Sequence, residues 1–338
     1  MTRPQQPEQS APRVLHVNDV AGIASAAVAQ AQSDGLDWRL WPLPPVRGSA
    51  VPVKIWRRVR DLARFHAAGR LADVLHVHYG LFGYYAWSVR RPYVLHLHGT
   101  DVRENLQSRV LRPLIIAAIR RAGAVVYSTP DLADAVREFR ADATWLPAPL
   151  SVDVEGEPAQ LGLASHVATA PRIVFASRWD PVKGLDRQLD LARAIRRTYP
   201  SSTMVGIDWG IGAPLAADAG VGLLPMLPTA EFRQLIAGAD IVIGQLASGA
   251  LGVADLEAMA LGRPLIARFA QASAYGDEAP IWNTDNVAPM EALAAILADC
   301  DASAQRCASA RSWALAHHSA EAFVRAALPL YAGVLGIS

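Results

Sequence analysis

Short β-rich runs alternate along the chain with stretches whose apolar residues recur at helical spacing, a pattern that predicts parallel α/β architecture. In the first half the strand candidates are RVLHV at 13–17, WRLWP at 38–42, DVLHV at 73–77, YVLHL at 93–97 and AVVYS at 124–128. Helical stretches at 55–69 and 109–123 lie between them. The rhythm breaks over 146–171, where prolines and small residues dominate. It resumes with RIVFAS at 172–177, a helix over 184–198, STMVGI at 202–207 and DIVIGQ at 240–245. A helix from Val253, a strand PLIARF at 264–269 and mostly helix complete the chain. The organisation read from this is a frayed polar tail at 1–12, a doubly wound domain at 13–150, a linker at 151–171 and a second doubly wound domain at 172–318. The last helix, 319–335, fits either lobe.

Composition changes this picture in two places. The chain is 52% hydrophobic and 19% charged, which suits a folded protein with a large core. Its tail lacks the apolar run of a signal peptide, and no run of about 18 apolar residues exists to span a bilayer. With only Cys300 and Cys307, both late in the sequence, a reduced cytoplasmic protein is expected. Residues 1–150 carry 19 basic and 12 acidic side chains, so the net charge of +1 conceals a basic first half that faces something anionic. Thirty of the 32 basic residues are arginines; the two lysines are Lys54 and Lys183. A lone lysine in an arginine-rich chain points to a use for a compact ammonium.

Candidate chemistry gathers at strand ends. In VLHVN (14–18), VLHVH (74–78) and VLHLH (94–98), period two puts His76 with His78 and His96 with His98 on one face. Such HxH pairs suit a metal hydrolase, but no HExxH occurs and Asp73 and Asp101 complete no ligand set. His16, His76 and His96 therefore read as satisfied polar residues within the sheet. His98 differs, because the chain turns at once in HGTD (98–101), where Asp101 either orients the imidazole or caps the following helix. In the second half, SRWDPVKGLD (177–186) sets Arg178 and Lys183 beside a helix start, a place for phosphate. The segment GALGVADLEAMALGRP (249–264) adds Gly249 and Gly252 ahead of a helix N-terminus, with Glu257 one turn further in, where it suits a ribose diol. Neither lobe has GxGxxG after its first strand, which disfavours a dinucleotide-dependent dehydrogenase.

Three of these segments together resemble the retaining GT-B glycosyltransferases of family 4. SRWDPVKGLDRQLDLARAI is similar to that family's GR-x-x-x-x-KG segment, GALGVADLEAMALGRPLIA to its E-x7-E block and HGTD to its HG-x-D. The resemblance spans about 14–335 and implies two Rossmann-like domains facing across a cleft. It implies acceptor binding by the first, nucleotide-sugar binding by the second, and a final helix that crosses back to the first. Catalysis would fall to His98, Asp101, Arg178 and Lys183, with no metal or other cofactor. The donor, a UDP- or GDP-linked hexose, would be held by Gly22, Arg178, Lys183, Gly249, Ala250, Leu251, Gly252, Val253 and Glu257. By the family pattern the amides from Ala250 to Val253 face the diphosphate, and His98 contacts the transferred sugar.

Two departures qualify what the resemblance implies. Gly249 stands where the family has the first glutamate of E-x7-E, a carboxylate that contacts the donor sugar. The alternative function is therefore a nucleotide-sugar-binding protein of the same fold with lost or altered transfer. The loop NDVAGIAS (18–25) has Gly22 alone where relatives pair glycines. For the acceptor, residues 54–70 hold six basic side chains and one acid, with Ile55, Val59, Leu62 and Phe65 along one helical face. That pattern fits either a core-packed helix or a helix resting on an anionic membrane beside a lipid-linked acceptor, which would make the protein cytoplasmic and peripheral. No nucleic-acid partner is expected.

Overall fold

A computed structural model describes residues 11–43, 50–151 and 170–337 of the chain. The expected tail and linker thus lie almost wholly outside the described residues. The chain divides into two units, Met1–Pro147 with Ala320–Ser338, and Ala148–Ser319.

The first unit is built on six strands: β1 (Val14–Val17), β2 (Trp38–Trp41), β3 (Val74–His78), β4 (Tyr93–Leu97), β5 (Ala124–Tyr127) and β6 (Thr144–Trp145). They pair in parallel in the order β2-β1-β3-β4-β5-β6. The order reverses between β1 and β3, so the chain leaves these two neighbours toward opposite edges and opens a crevice at their carboxyl ends. Both faces are covered, which is why β1, β3 and β4 are buried at every position. One face carries Leu15, Val17, Leu75, Val77, Leu95 and Leu97 against helices that include Val51–Leu71 and Arg112–Arg121. The other carries Val14, Val74 and Val94 against Ala27, Ala31 and the last helix, Ala320–Leu335, through Phe323, Val324, Ala327 and Tyr331.

The second unit repeats this plan with β7 (Arg172–Phe175), β8 (Thr203–Ile207), β9 (Gly222–Leu224), β10 (Ile241–Ile243), β11 (Leu265–Ala267) and β12 (Trp282–Asn283). These are parallel in the order β12-β11-β10-β7-β8-β9. Here the reversal falls between β7 and β10, the strands that lead into SRWDPVKG and into QLASGALG. Helices Leu185–Thr198 and Pro289–Ala298 cover one face of this sheet, Thr229–Ala237, Val253–Ala260 and Cys300–His318 the other. Cys300 and Cys307 are both free thiols.

The helix Val51–Leu71 is longer at both ends than its apolar pattern predicts, and its apolar face is divided. Phe65 is fully buried in the core and Leu62 packs against it, whereas Ile55 and Val59 are about 60% exposed, as is Trp56. Phe65→Ala should lower stability by about 3–5 kcal/mol, while Ile55→Ala should change it by less than about 0.5 kcal/mol. Urea denaturation of the two variants checks this. Equal shifts would mean that the amino-terminal half of the helix is packed after all.

Candidate functional site

In the second unit, the loops that leave β7 and β10 are sewn together. Pro181 starts a short 3-10 turn, and Gly184, at φ +85°, lets the chain reverse into the helix Leu185–Thr198. A Cβ on Gly184 would lie 3.0 Å from the backbone of Leu246. The Leu246 amide donates to the Lys183 carbonyl at 3.0 Å, and Arg187 Nη1 donates to the Leu246 carbonyl at 2.7 Å. These contacts carry the Lys183 ammonium to the amino end of helix Val253–Ala260, 3.9 Å from where a Cβ on Gly252 would sit. Arg178 lies on the same loop, paired with Asp180 at 3.0 Å and with its guanidinium over Trp209.

The charges at this helix start are balanced rather than open. Gly252 N–H donates to Asp255 Oδ2 at 2.8 Å, so the helix caps itself with a carboxylate in its first turn. This Gly252 amide is thus already engaged, unlike the free diphosphate-facing amide the resemblance implies. Asp255 is buried, which pushes its carboxyl up, and Lys183 opposes that shift. Glu257 is also buried and pushed up, opposed by Arg233, whose Nε donates to Oε1 at 2.7 Å. Asp255 and Arg233 were not among the sequence-predicted site residues. Asp255 was legible as a first-turn acid, but Arg233 lies 24 residues from Glu257 and carries no motif.

Gly249 shows why glycine stands there. Its φ is +72°, and a Cβ would lie 2.9 Å from Ala270 Cβ and 3.2 Å from Arg268 Nη1. Its amide donates to Gln245 Oε1 at 3.2 Å, and the same oxygen receives Ala247 N–H at 3.1 Å. The position is built around glycine, and a cation borders it. Arg268 also holds Asp285 at 2.9 Å and the Ala247 carbonyl at 2.7 Å. Ala250 and Leu251 are buried between this turn and the helix.

In the first unit, Gly22 at φ +80° starts helix Ile23–Ser33, and Asp19 caps that helix through the Ala24 amide at 3.0 Å. The dominant feature is a row of histidines. Period two sets His16, His76, His78 and His96 on the sheet face of Val14, Val74 and Val94, with His16 beside His76 and His78 beside His96 across the strands. All four are fully buried, and the half-buried His98 continues the row. His98 Nε2 and His78 Nδ1 are 3.0 Å apart, and His78 Nε2 and His16 Nδ1 2.9 Å. Tyr331 Oη bridges His16 Nε2 at 3.5 Å and His76 Nδ1 at 2.6 Å, and His76 Nε2 meets His96 Nδ1 at 3.2 Å. Only His98 Nδ1 and His96 Nε2 in this row lack a hydrogen-bond partner. Two sets of nitrogens, from His16, His76 and His78 and from His78, His96 and His98, lie within 4.8 Å of one another, a spacing that also suits a metal ion.

Asp101 does not reach the His98 ring. Its carboxylate accepts the amides of His98 at 3.0 Å, Gly99 at 2.9 Å and Gly80 at 3.0 Å, joining the turns after β3 and β4. Of its two sequence-allowed roles, orienting the imidazole falls to His78, and Asp101 instead fixes the backbone. Gly99 serves this turn at φ +111°, where a Cβ would strike the Arg103 guanidinium.

Residues 11–147 match the Glycosyl transferase 4-like domain. No curated protein sequence matches the chain. The chain has the α/β fold of GT-B glycosyltransferases, two parallel six-stranded sheets with helices. Among solved structures it is similar to HepE from Anabaena in complex with UDP and glucose, with a TM-score of 0.63 and 16% identity over 93% of this chain and 98% of that one. Sucrose-phosphate synthase from Thermosynechococcus elongatus gives a TM-score of 0.68 and 16% identity over 96% and 100% of the two chains. A UDP-forming trehalose-phosphate synthase from Burkholderia xenovorans gives 0.62 and 13% over 95% and 98%.

The histidine row makes stability depend on pH. Burial pushes His16 and His98 down to about 3, and His76, His78 and His96 well below their ordinary value. A folded-state value below the unfolded one means that, as pH falls below about 6.5, the unfolded chain takes up protons the folded chain refuses. Stability should then fall by about 1.4 kcal/mol per pH unit for each such histidine, continuing toward pH 3. Urea midpoints measured from pH 7.5 to 4.5 test this, and a flat profile above pH 5 would contradict it.

Proposed function

We propose that the chain is a retaining glycosyltransferase that moves a hexose-type sugar from a UDP- or GDP-linked donor to a hydroxyl acceptor, in cell-surface polysaccharide or glycolipid synthesis. The observation that carries this reading is the Lys183 ammonium at the start of helix Val253–Ala260, with Glu257 one turn inside. A diphosphate placed there meets the ammonium, Arg178 and the helix dipole, while a ribose reaches Glu257. Support also comes from the match over 11–147 and from neighbours solved with UDP and UDP-glucose. In this reading the second unit holds the donor, the first holds the acceptor, and His98 contacts the transferred sugar. The acceptor oxygen bonds to the anomeric carbon as the bond from that carbon to phosphate breaks on the same face. The acceptor's proton passes to the departing phosphate oxygen. Lys183 and Arg178 neutralise the charge that develops there, so the reaction needs no metal. Release of UDP or GDP from a panel of nucleotide sugars tests this, with and without chelator. Lys183→Ala should reduce release about 10²–10³-fold, and chelator should leave it unchanged.

A second reading has its own observation. Gly249, held at φ +72° with Ala270 and Arg268 closing on it, leaves no place for the family carboxylate. Nucleotide binding without release across a broad acceptor panel would favour a binding protein that has lost transfer.

For the acceptor side, we take the exposed Ile55, Trp56 and Val59 as the part of helix Val51–Leu71 that meets an anionic membrane, placing the protein at its cytoplasmic face. Arg57, Arg58, Arg60, Arg64 and Arg70 supply the charge, and Arg60 stacks over the Trp56 ring at 4.5 Å. Among the described residues no helix is long and apolar enough to cross a membrane. The full chain should pellet with phosphatidylserine vesicles at low salt, release at about 0.5 M salt, and pellet less with Trp56→Ala. Absence of pelleting at low salt would end the membrane assignment.

A further inference from the structure

Around the start of helix Val253–Ala260 each cation is matched with a carboxylate. Arg178 pairs with Asp180 at 3.0 Å, Arg233 with Glu257 at 2.7 Å and Arg268 with Asp285 at 2.9 Å. The Lys183 charge acts on Asp255. Arg187 and Asp186, next to each other on the following helix, are exposed, and Arg187 spends Nη1 on the Leu246 carbonyl. A site balanced in this way holds little surplus positive charge to offer a polyanion.

Asp255 is the acid built most firmly into this end. It is 3% exposed, its Oδ2 accepts the Gly252 amide at 2.8 Å, and the carboxylate also accepts a backbone hydrogen bond from Gln245. Oδ1 fills a notch that exists because residue 244 is glycine, since a Cβ there would collide with that oxygen. The carboxylate thus ties the end of β10 to the helix start and cannot swing out without giving up two amides. Its partners are all donors or cations, the surroundings of a carboxylate rather than of a carboxylic acid. The point where a Cβ on Gly252 would sit is 3.6 Å from Asp255 Oδ2 and 3.9 Å from Lys183 Nζ. An anion that reaches Lys183 across Gly252 therefore comes within range of a fixed negative charge as well.

We propose that Asp255 is a specificity-determining residue that makes this site favour a nucleoside diphosphate esterified to a sugar over the free nucleoside diphosphate. The inference rests on the donor reading above. A diphosphate with an organic group at each end carries two negative charges, and the free diphosphate carries most of a third on its terminal phosphate at neutral pH. The two phosphates are adjacent, so the third charge lies close to Asp255 whichever of them meets Lys183. Lys183 and Arg178 match the two charges of the ester, and the third is repelled. Asp255 thus loosens the hold on the product more than the hold on the donor, which lets the nucleotide leave after transfer.

Calorimetric titration of the full chain at pH 7 with UDP and UDP-glucose, and with GDP and GDP-mannose, reads this preference directly. Asp255→Asn keeps the size of the side chain and an oxygen for the Gly252 amide, and removes the charge. The ratio of product affinity to donor affinity should rise about tenfold in this variant, the order expected of one like-charge pair in a partly buried place. The free nucleotide should carry most of the change. A purely structural role would move both affinities together, and an unmoved ratio overturns the proposal. If Asp255→Asn fails to fold, the wild type decides. Free diphosphate held within about tenfold of its sugar ester supports the proposal, and a hold tighter than that overturns it. A wild-type chain that binds neither nucleotide nor ester removes the donor reading and this assignment with it. Binding with an unmoved ratio keeps the donor reading and removes only the role of Asp255.

Discussion

In a parallel sheet covered on both faces, every side chain of a central strand is inside, and every backbone amide and carbonyl is already committed to a neighbour. Polar chemistry can then enter by two routes. It can leave the sheet at the carboxyl ends of the strands, as the loops after β7 and β10 do, or it can stay inside in groups that satisfy one another. Both routes appear here, one in each unit. The second unit places charge at strand ends, and the first buries four imidazole rings that, with the half-buried His98, share hydrogen bonds with one another and with the Tyr331 hydroxyl. The Phe323 ring lies over His96 with its centroid 6.0 Å away, so the last helix contributes an apolar roof as well as the Tyr331 hydroxyl.

The charged groups of the second unit follow a different rule. Asp255 and Glu257 are two buried carboxylates in one short helix, an arrangement that is costly unless each is paired. Each has a cation: Lys183 near Asp255, Arg233 on Glu257. An anion placed at the helix start would compete with Asp255 for the same ammonium, and a hydroxyl placed at Glu257 would share that carboxylate with a guanidinium. The pairing keeps this end of the helix from holding unpaired charge in a poorly solvated place.

Much of this was legible in the sequence, for identifiable reasons. The four- and five-residue strands announce themselves by their runs of β-branched, aromatic and other apolar residues, whereas β6, β9 and β12 are edge strands of two or three residues, too short for any period to show. The shared face of the HxH pairs follows from strand geometry alone. That Tyr331 would complete their row does not, because 255 residues separate it from His76 and no local pattern records the contact. Asp101 illustrates a real ambiguity: a carboxylate three residues after a histidine can serve the ring or the amides, and only the path of the turn after β3 decides. Arg233 was invisible as one arginine among thirty. The stripe on residues 55–65 was legible as a stripe, but where the domain ends beneath it was not.

Gly249 carries a consequence for how this chain could change. A glutamate introduced there alone would have to leave the left-handed region or push into Ala270, so a carboxylate at this position is not one tolerated substitution away. A second change, opening space at position 270 or relaxing the turn held by Gln245, would have to come with it.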